Sequence, residues 1–341
     1  MSIASAARRS RLTSPDTVTS PAAENLYWVG RNAERTDFTS RFMARIIDGR
    51  TLGFSYAPKF ELEHESLLLN ALFSITECES WLDQAETPDQ KLLLVLGESK
   101  CPAAIERHLA NFRRTTNAAR EQWSPASILA IESACKGWSE DTRGLSGILA
   151  FKSPLKNLQL NLAAFLGMNL DSMTRDHGWA MLDAGRRIPR AINTVKLLSF
   201  LVRQEVASPI ESLLNESILF ISDSLGTYQS IYLTEPRTGP MLQLLLCESD
   251  YPRSLKFLFT RLQAVLAKLP TPAQGAHPGE VIEPARDHLQ VFCDKIERAP
   301  DDAVAIRQFA ANDLDLLVEE LRALSDHLTK SYFSHATRNA E

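Results

Sequence analysis

Charged side chains that can bind an acidic ligand cluster near the start of the sequence. Arg31, Glu34 and Arg35 are spaced to share one face of a helix, and Trp28 borders that face one turn earlier. The planar fork of arginine pairs with both oxygens of a carboxylate, so two guanidinium groups beside a glutamate suit an acidic ligand. The same spacing also describes an ion pair within one solvated helix, worth about 0.2–0.5 kcal/mol. The pattern indicates a candidate binding face and leaves this simpler alternative open.

A second group of reactive side chains lies in the middle of the chain, where Asp176 and His177 stand between Arg175 and Trp179. A histidine can shuttle protons near neutral pH. His177 and Glu34 are therefore the candidate acid and base if the protein is an enzyme. The structural alternative, which the pattern favours, is that Asp176 caps a helix and Trp179 packs into the core.

Metal and nucleophile chemistry have weaker signals. Glu61 and His64 form one Glu-x-x-His motif, whereas di-metal helical bundles use two, and no other histidine follows a glutamate by three residues. The sequence therefore predicts no metal and no bound cofactor. Cys101 precedes a proline at a predicted helix start, which favours a thiolate, but a buried inert cysteine is the preferred interpretation.

The elements that must position these residues are all predicted to be helices. Apolar residues recur with the helical period, for example from Leu67 to Ile75 and from Leu314 to Leu328. Serines before Pro125 and Pro209 are typical of helix starts. No convincing alternating strand pattern occurs, so we predict an all-α, multi-helix bundle of about ten to twelve helices. Breaks are expected at residues 51–59 and at 269–284, where prolines and glycines indicate a mobile linker or a loop.

Composition restricts the class of protein further. The 341 residues are 44% hydrophobic and 23% charged, with a net charge of −5, which argues against a non-specific nucleic-acid binder. No apolar stretch is long enough to span a membrane. Five scattered cysteines fit reduced thiols in the cytoplasm. Residues 1–21 are interpreted as a disordered tail rather than a transit peptide, 22–335 as the folded domain and 336–341 as a second tail.

The chain also repeats itself weakly. Residues 30–35 (GRNAER) match 185–190 (GRRIPR) at an offset of 155, and residues 94–99 with Pro102 match 244–249 with Pro252 at an offset of 150. Two matches in the same order favour two pseudo-symmetric halves, residues 22–170 and 171–335.

If these halves pack by pseudo-symmetry, their Gly-Arg helices face each other. Arginines from the matched segments would then line a shared groove with Glu34 as counter-charge, namely Arg31, Arg35, Arg186, Arg190 and Arg253. Such a groove suits a peptide carboxylate, a glutamate side chain or a phosphate. The alternative is a buried ion-pair network that fixes the register of the bundle.

Four segments together resemble the alpha-E domain family, a helical bacterial family with a Glu-Arg motif. They are AENLYWVGRNAERT at 23–36, TRDHGW with LDAGRR between 174 and 187, YPRSL at 251–255, and SDH with YF between 325 and 333. The resemblance covers residues 22–335. It implies an all-helical fold and a part in forming or processing amide or peptide bonds, because members are typically encoded beside or fused to circularly permuted ATP-grasp ligases and transglutaminase-like proteins.

The chain departs from this family at Pro189, which stands where the second signature usually has glutamate. A proline inside a helix costs about 3 kcal/mol, so we expect a kink or restart near Ile188. Glu34 and Arg35 are then expected to carry the function. We predict an accessory or substrate-presenting subunit, with an ATP-grasp ligase or transglutaminase-like protein as partner. The alternative is an enzyme of amide or peptide metabolism that uses the Arg/Glu-lined groove.

Overall fold

The structure is a computed structural model that describes residues 20–52, 58–97, 100–272, 275–298 and 303–333. These residues form helices and connecting turns, with no strand among them, which confirms the all-α prediction. The predicted tails at 1–21 and 336–341 lie outside the described residues, except for the two that begin the first helix.

The helices follow one another along the described residues, joined by turns and short loops. The α-helices are α1 Ser20–Leu52, α2 Pro58–Ile75, α3 Pro88–Leu96, α4 Ile105–Ala118, α5 Pro125–Asp141, α6 Lys152–Ser172, α7 His177–Val202, α8 Ser208–Ile221, α9 Leu225–Tyr232, α10 Thr238–Leu242, α11 Leu255–Leu266, α12 Pro278–Val281, α13 Glu283–Arg298 and α14 Ala303–Phe333. Short 3-10 segments cover Glu79–Gln84, Arg120–Gln122 and Ile148–Phe151, and a π-helical turn covers Gln243–Cys247.

Two predicted helix starts have different outcomes. Ser124 caps α5, since its Oγ accepts a hydrogen bond from the backbone N of Ser127 at 3.1 Å. The equivalent prediction at Ser208 is wrong, because Ser208 is already inside α8 and Ala207 holds the cap position without a side-chain bond.

The expected restart near Ile188 is also wrong. Helix α7 runs from His177 to Val202 through Pro189. Nearly all of α7 is buried, against α1 on one side and α11 and α14 on others. This tertiary packing outweighs the local cost of the proline.

Helices α1 and α7 form the centre of the bundle. They pack along each other, α4 and α6 cover α1, and α11 and α14 cover α7. This close crossing requires glycine at two positions: a Cβ on Gly30 would lie 2.2 Å from the carbonyl oxygen of Leu182, and a Cβ on Gly185 would lie 2.1 Å from that of Tyr27. Only glycine allows the two backbones to approach this closely.

The segment predicted as a mobile linker or a loop at 269–284 is tied to the bundle. It contains α12, the His277 Nε2 donates to the carbonyl of Leu269 at 3.1 Å, and the Tyr332 hydroxyl donates to that of Pro270 at 2.7 Å. Among the residues described there, the segment is a loop with one short helix that these hydrogen bonds attach to its surroundings. At the other predicted break, α1 ends at Leu52 and α2 begins at Pro58, and residues 53–57 lie outside the described ranges.

The expectation of five reduced thiols is wrong as well. Cys247 and Cys293 form a disulfide between the π-helical turn and α13, with Cα atoms 5.5 Å apart. Their separation of 46 residues conceals this proximity in the sequence. Cys78, Cys101 and Cys135 are free. In the part of the chain that the structure describes, no helix is both long enough and apolar enough to cross a membrane.

Candidate functional site

The crossing of α1 and α7 brings two of the predicted charged residues, Glu34 and Arg190, into direct contact. Glu34 of α1 accepts two hydrogen bonds of 2.6 Å from the Nε and Nη2 atoms of Arg190 of α7. Glu34 is 3% exposed, and this bidentate pair joins the two helices across their interface.

The Glu34 carboxylate is held in its charged form. Burial alone would raise the pKa of Glu34, but the charge and hydrogen bonds of Arg190, with Arg253 and Arg186 nearby, lower it below its usual range. The charged carboxylate has no proton to give as a general acid, and Arg190 occupies both of the oxygens that a general base would use. This arrangement suits Glu34 to fixing the register of the bundle.

The space beside this pair is closed, and we call it the Glu34 pocket. Its open volume is about 20 Å³, enough for a single water molecule. Arg253 fills one side and donates to Asp223 at 2.6 Å, while Arg41 bridges Asp37 and Asp223 at 3.0 Å each. Each cation among the described residues that line this pocket therefore has a carboxylate partner.

The opposite side of the same crossing is open, and we call it the Arg35 cavity. Its volume is about 490 Å³, within the range of roughly 300–1,000 Å³ that is typical of small-molecule sites. Arg35 is exposed within it, and among the described residues no carboxylate lies within ion-pair distance of its guanidinium. Pro189 of α7 faces the same cavity.

Arg31 borders the Arg35 cavity and is partly satisfied. Its Nη1 donates to the Ser325 hydroxyl at 2.8 Å and to the Tyr27 hydroxyl at 3.3 Å, and its guanidinium lies 5.6 Å from the centre of the Trp28 ring. Its buried Nε has no hydrogen-bond partner. Trp28 and α14 thus hold Arg31 at the edge of the cavity.

Further charged residues complete the wall. Glu77 pairs with Lys196 at 2.7 Å and also with Arg322. The hydrogen bond and charge of Lys196, together with Arg322, lower the pKa of Glu77. With Asp326, the cavity holds two carboxylates and four cationic side chains, so it carries a net positive charge.

Two titratable groups in the cavity have shifted pKa values. The protein around the Arg35 guanidinium displaces part of its hydration water, and Arg31 adds a like charge; together they lower the pKa of Arg35 to about 10. Burial, with the charge of Arg35 nearby, lowers the pKa of His108 to about 4, so His108 is neutral at neutral pH. His108 Nε2 bonds the Pro102 carbonyl at 2.9 Å, and its Nδ1 has no partner.

The remaining predicted site residues lie elsewhere. Arg186 is buried and pairs with Asp183 at 3.2 Å, outside the cavity. Asp176 caps α7 by accepting from the backbone N of Trp179 at 3.0 Å, as the structural alternative proposed. His177 precedes Arg190 by more than three helical turns, about 20 Å, so the structure does not bring His177 and Glu34 together.

Sequence reasoning missed four titratable residues of the cavity wall, namely Lys196, Arg322, Glu77 and His108. Of these four, only Lys196 had a signal in the sequence, because it follows Arg41 at the repeat offset of 155.

The residue considered for metal ligation, His64, is bonded within the fold, since its Nε2 lies 2.8 Å from the Ser217 hydroxyl. The described residues contain no group of three or more His, Cys, Asp or Glu side chains arranged to hold an ion.

Comparison with known proteins points to one family. A family model described as "Alpha-E: A predicted alpha-helical domain with a conserved ER motif" matches residues 18–333. Uncharacterised proteins of Mycobacterium bovis and Mycobacterium tuberculosis are 23% identical over 327 residues, which is 92% of this chain but 37% of each relative. The chain therefore spans little more than a third of these relatives. No solved structure matches.

Proposed function

This chain belongs to the Alpha-E family, and we propose that it is an accessory subunit that presents an acidic substrate to an amide- or peptide-forming ligase of the ATP-grasp type. The observation that carries the proposal is the Arg35 guanidinium, which faces about 490 Å³ of open space without an ion pair among the described residues. A cation in this state supplies binding energy to an anionic group that enters from outside.

The difference between the closed and the open side of the crossing supports this role. Arg190 already holds Glu34, so the closed side stabilises the bundle, while Arg31 and Arg35 leave the open side to a ligand. Rigid helices on both sides make such a site preorganised.

The family context supports the choice of partner. The resemblance implies neighbouring or fused ATP-grasp and transglutaminase-like proteins, and the matched region makes up 37% of the mycobacterial relatives. A domain that occurs as part of a longer chain fits a module that works beside another one.

The proposal is tested by capture followed by an activity assay. Tagged wild-type chain, Arg35→Gln and the control Arg114→Gln, which changes an exposed arginine of α4 outside the cavity, are each incubated with lysate of the organism that encodes the protein. We expect an ATP-grasp ligase or a transglutaminase-like protein to be enriched by all three, because Arg35 contacts the substrate rather than the partner.

ADP release by the captured ligase then reports on substrate presentation. Wild type and Arg114→Gln should stimulate it with an acidic substrate, and Arg35→Gln should not. Enrichment of neither class of protein would refute the subunit proposal. Equal stimulation by all three variants would refute the role of the cavity.

A further inference from the structure

The Arg35 cavity and the Glu34 pocket are images of each other across the α1–α7 crossing. Gly30 lies against Leu182, and Gly185 lies against Tyr27. The two contacts are equivalent, because Gly185 follows Gly30 by 155 residues and Leu182 follows Tyr27 by the same 155. Nine of the ten residues that line the Glu34 pocket have counterparts that line the Arg35 cavity. At the offset of 155, Glu34, Asp37, Phe38, Arg41, Arg190, Asn193 and Thr194 correspond to Pro189, Ile192, Asn193, Lys196, Arg35, Phe38 and Thr39. At an offset of 146, Ile221 and Ser222 correspond to Ile75 and Thr76.

The turns that supply the second carboxylate also correspond. Glu77 and Asp223 both have positive φ angles, of 57° and 56°, directly after α2 and α8. The next backbone N–H donates back to Phe73 at 2.8 Å in one turn and to Leu219 at 2.7 Å in the other. Each acidic residue then binds the cation of the long helix, Lys196 for Glu77 and Arg41 for Asp223.

The correspondence fails at the two carboxylates that α1 contributes to the Glu34 pocket. Asp37, which pairs with Arg41, has the apolar Ile192 as its counterpart. Glu34 provides the carboxylate that holds Arg190, whereas its counterpart is Pro189, which has no carboxylate to offer Arg35. The pocket with the glutamate has an open volume of about 20 Å³, and the one without it has about 490 Å³. The open cavity is thus the position of a missing internal ion pair.

We propose that the Arg35 cavity binds the carboxylate of an acidic peptide in the place that a glutamate at position 189 would occupy. The bound group accepts a bidentate pair of hydrogen bonds from Arg35, as Glu34 does from Arg190. This inference rests on the proposed ligand site and names its ligand class, but it does not depend on a ligase partner.

The charges of the wall favour a carboxylate over a phosphate. Lys196 and Arg322 are already engaged by Glu77, and Asp326 adds a second negative charge to the lining. The cationic capacity left over is that of Arg35 and the partly satisfied Arg31, which matches one singly charged group better than a dianion.

The test uses three N-acetylated tripeptides and inorganic phosphate as probes, and calorimetry measures their binding. Acetyl-Ala-Glu-Ala-amide offers only a side-chain carboxylate, acetyl-Ala-Ala-Ala with a free C-terminus offers only the terminal one, and acetyl-Ala-Gln-Ala-amide offers neither. The full chain is compared with Pro189→Glu, which supplies the missing carboxylate, and with Pro189→Gln, which has the same shape without charge.

We expect at least one carboxylate peptide to bind, and the glutamine peptide to bind at least tenfold more weakly. Pro189→Glu should bind the carboxylate peptide at least tenfold more weakly than Pro189→Gln, because its own side chain pairs with Arg35. Equal affinities of the two variants, tighter binding of phosphate than of either carboxylate peptide, or binding of neither peptide would overturn the proposal.

A second variant keeps the test decisive if Pro189→Glu does not fold. Arg35→Gln changes an exposed side chain and should lose carboxylate binding, while Arg114→Gln should keep it. Carboxylate binding that depends on Arg35, combined with no captured ligase, would refute the proposed function and leave this inference standing. A captured ligase whose stimulation needs Arg35, combined with no peptide binding, would do the reverse.

Discussion

Substituting Arg190 and Arg35, which are pseudo-equivalent, is expected to change the stability of the fold by very different amounts. Arg190→Ala removes both hydrogen bonds to Glu34 and leaves a carboxylate that is 3% exposed without its bidentate partner. Arg35→Ala removes an exposed side chain that has no ion pair among the described residues. We therefore expect Arg190→Ala to destabilise the fold strongly and Arg35→Ala to change it little.

The magnitudes follow from burial and pairing. Breaking one side of a buried ion pair costs about 3–5 kcal/mol. Arg253 and Arg186 remain close enough to act on Glu34, so the lower end, about 3 kcal/mol, applies to Arg190→Ala. Exposed substitutions away from such pairs stay within about 0.5 kcal/mol, which is the expectation for Arg35→Ala.

Urea unfolding followed by circular dichroism measures both values. With a slope of about 1–3 kcal/mol per molar urea, the midpoint of Arg190→Ala should fall by on the order of 1 M or more. A loss below about 1 kcal/mol for Arg190→Ala, or equal losses for both variants, would show that the Glu34 pair does not hold the helices together.

Acid provides an independent check of the same pair. The folded state lowers the pKa of Glu34, so the pair stabilises the wild type above the ordinary value of 4.5 and its contribution is lost as the pH falls through the lowered value. In Arg190→Ala the burial of Glu34 instead favours its protonated form. The difference in stability between the two proteins should therefore shrink below pH 4.5.

Three further changes test other parts of the structure. Gly185→Ala places a Cβ 2.1 Å from a backbone carbonyl of α1 and should cost at least about 1 kcal/mol in urea unfolding, whereas Gly167→Ala, with open space, should gain up to about 1 kcal/mol. Removing the Cys247–Cys293 bridge, with its separation of 46 residues, should cost about 4 kcal/mol, and an unchanged stability in reductant would argue against the bridge. Between pH 6.5 and about 4, His108 is protonated in the unfolded chain but stays neutral in the fold, because its pKa is lowered to about 4. The free energy of unfolding should therefore fall by up to about 3 kcal/mol as the pH drops through this window. His108→Gln should remove that part of the loss.

The helices were predictable because their signals are local. The apolar periodicity of α2 and α14 and the Ser-Pro start of α5 all depend on residues within a few turns. The passage of α7 through Pro189 was not predictable in this way, since distant helices that bury α7 outweigh the local preference.

The candidate site was predictable in part. The weak repeat led to the expectation that the two Gly-Arg helices face each other, and Glu34 and Arg190 do meet across that interface. Which arginine stays open depends on pairings from distant elements, such as Asp223 with Arg253 and Glu77 with Lys196, and no spacing in the sequence reveals them. The division into two halves stays a prediction, supported by the reciprocal glycine contacts.

A crystal structure of the chain with bound acetyl-Ala-Glu-Ala-amide, or with the free-C-terminus peptide if that one binds more tightly, would show whether Arg35 holds the carboxylate. We expect a peptide carboxylate with both oxygens within about 3 Å of the Arg35 guanidinium, beside Pro189. A peptide carboxylate bound elsewhere, for example in the groove of about 510 Å³ that Lys136 and Glu132 line, with Arg35 facing only water, would contradict it.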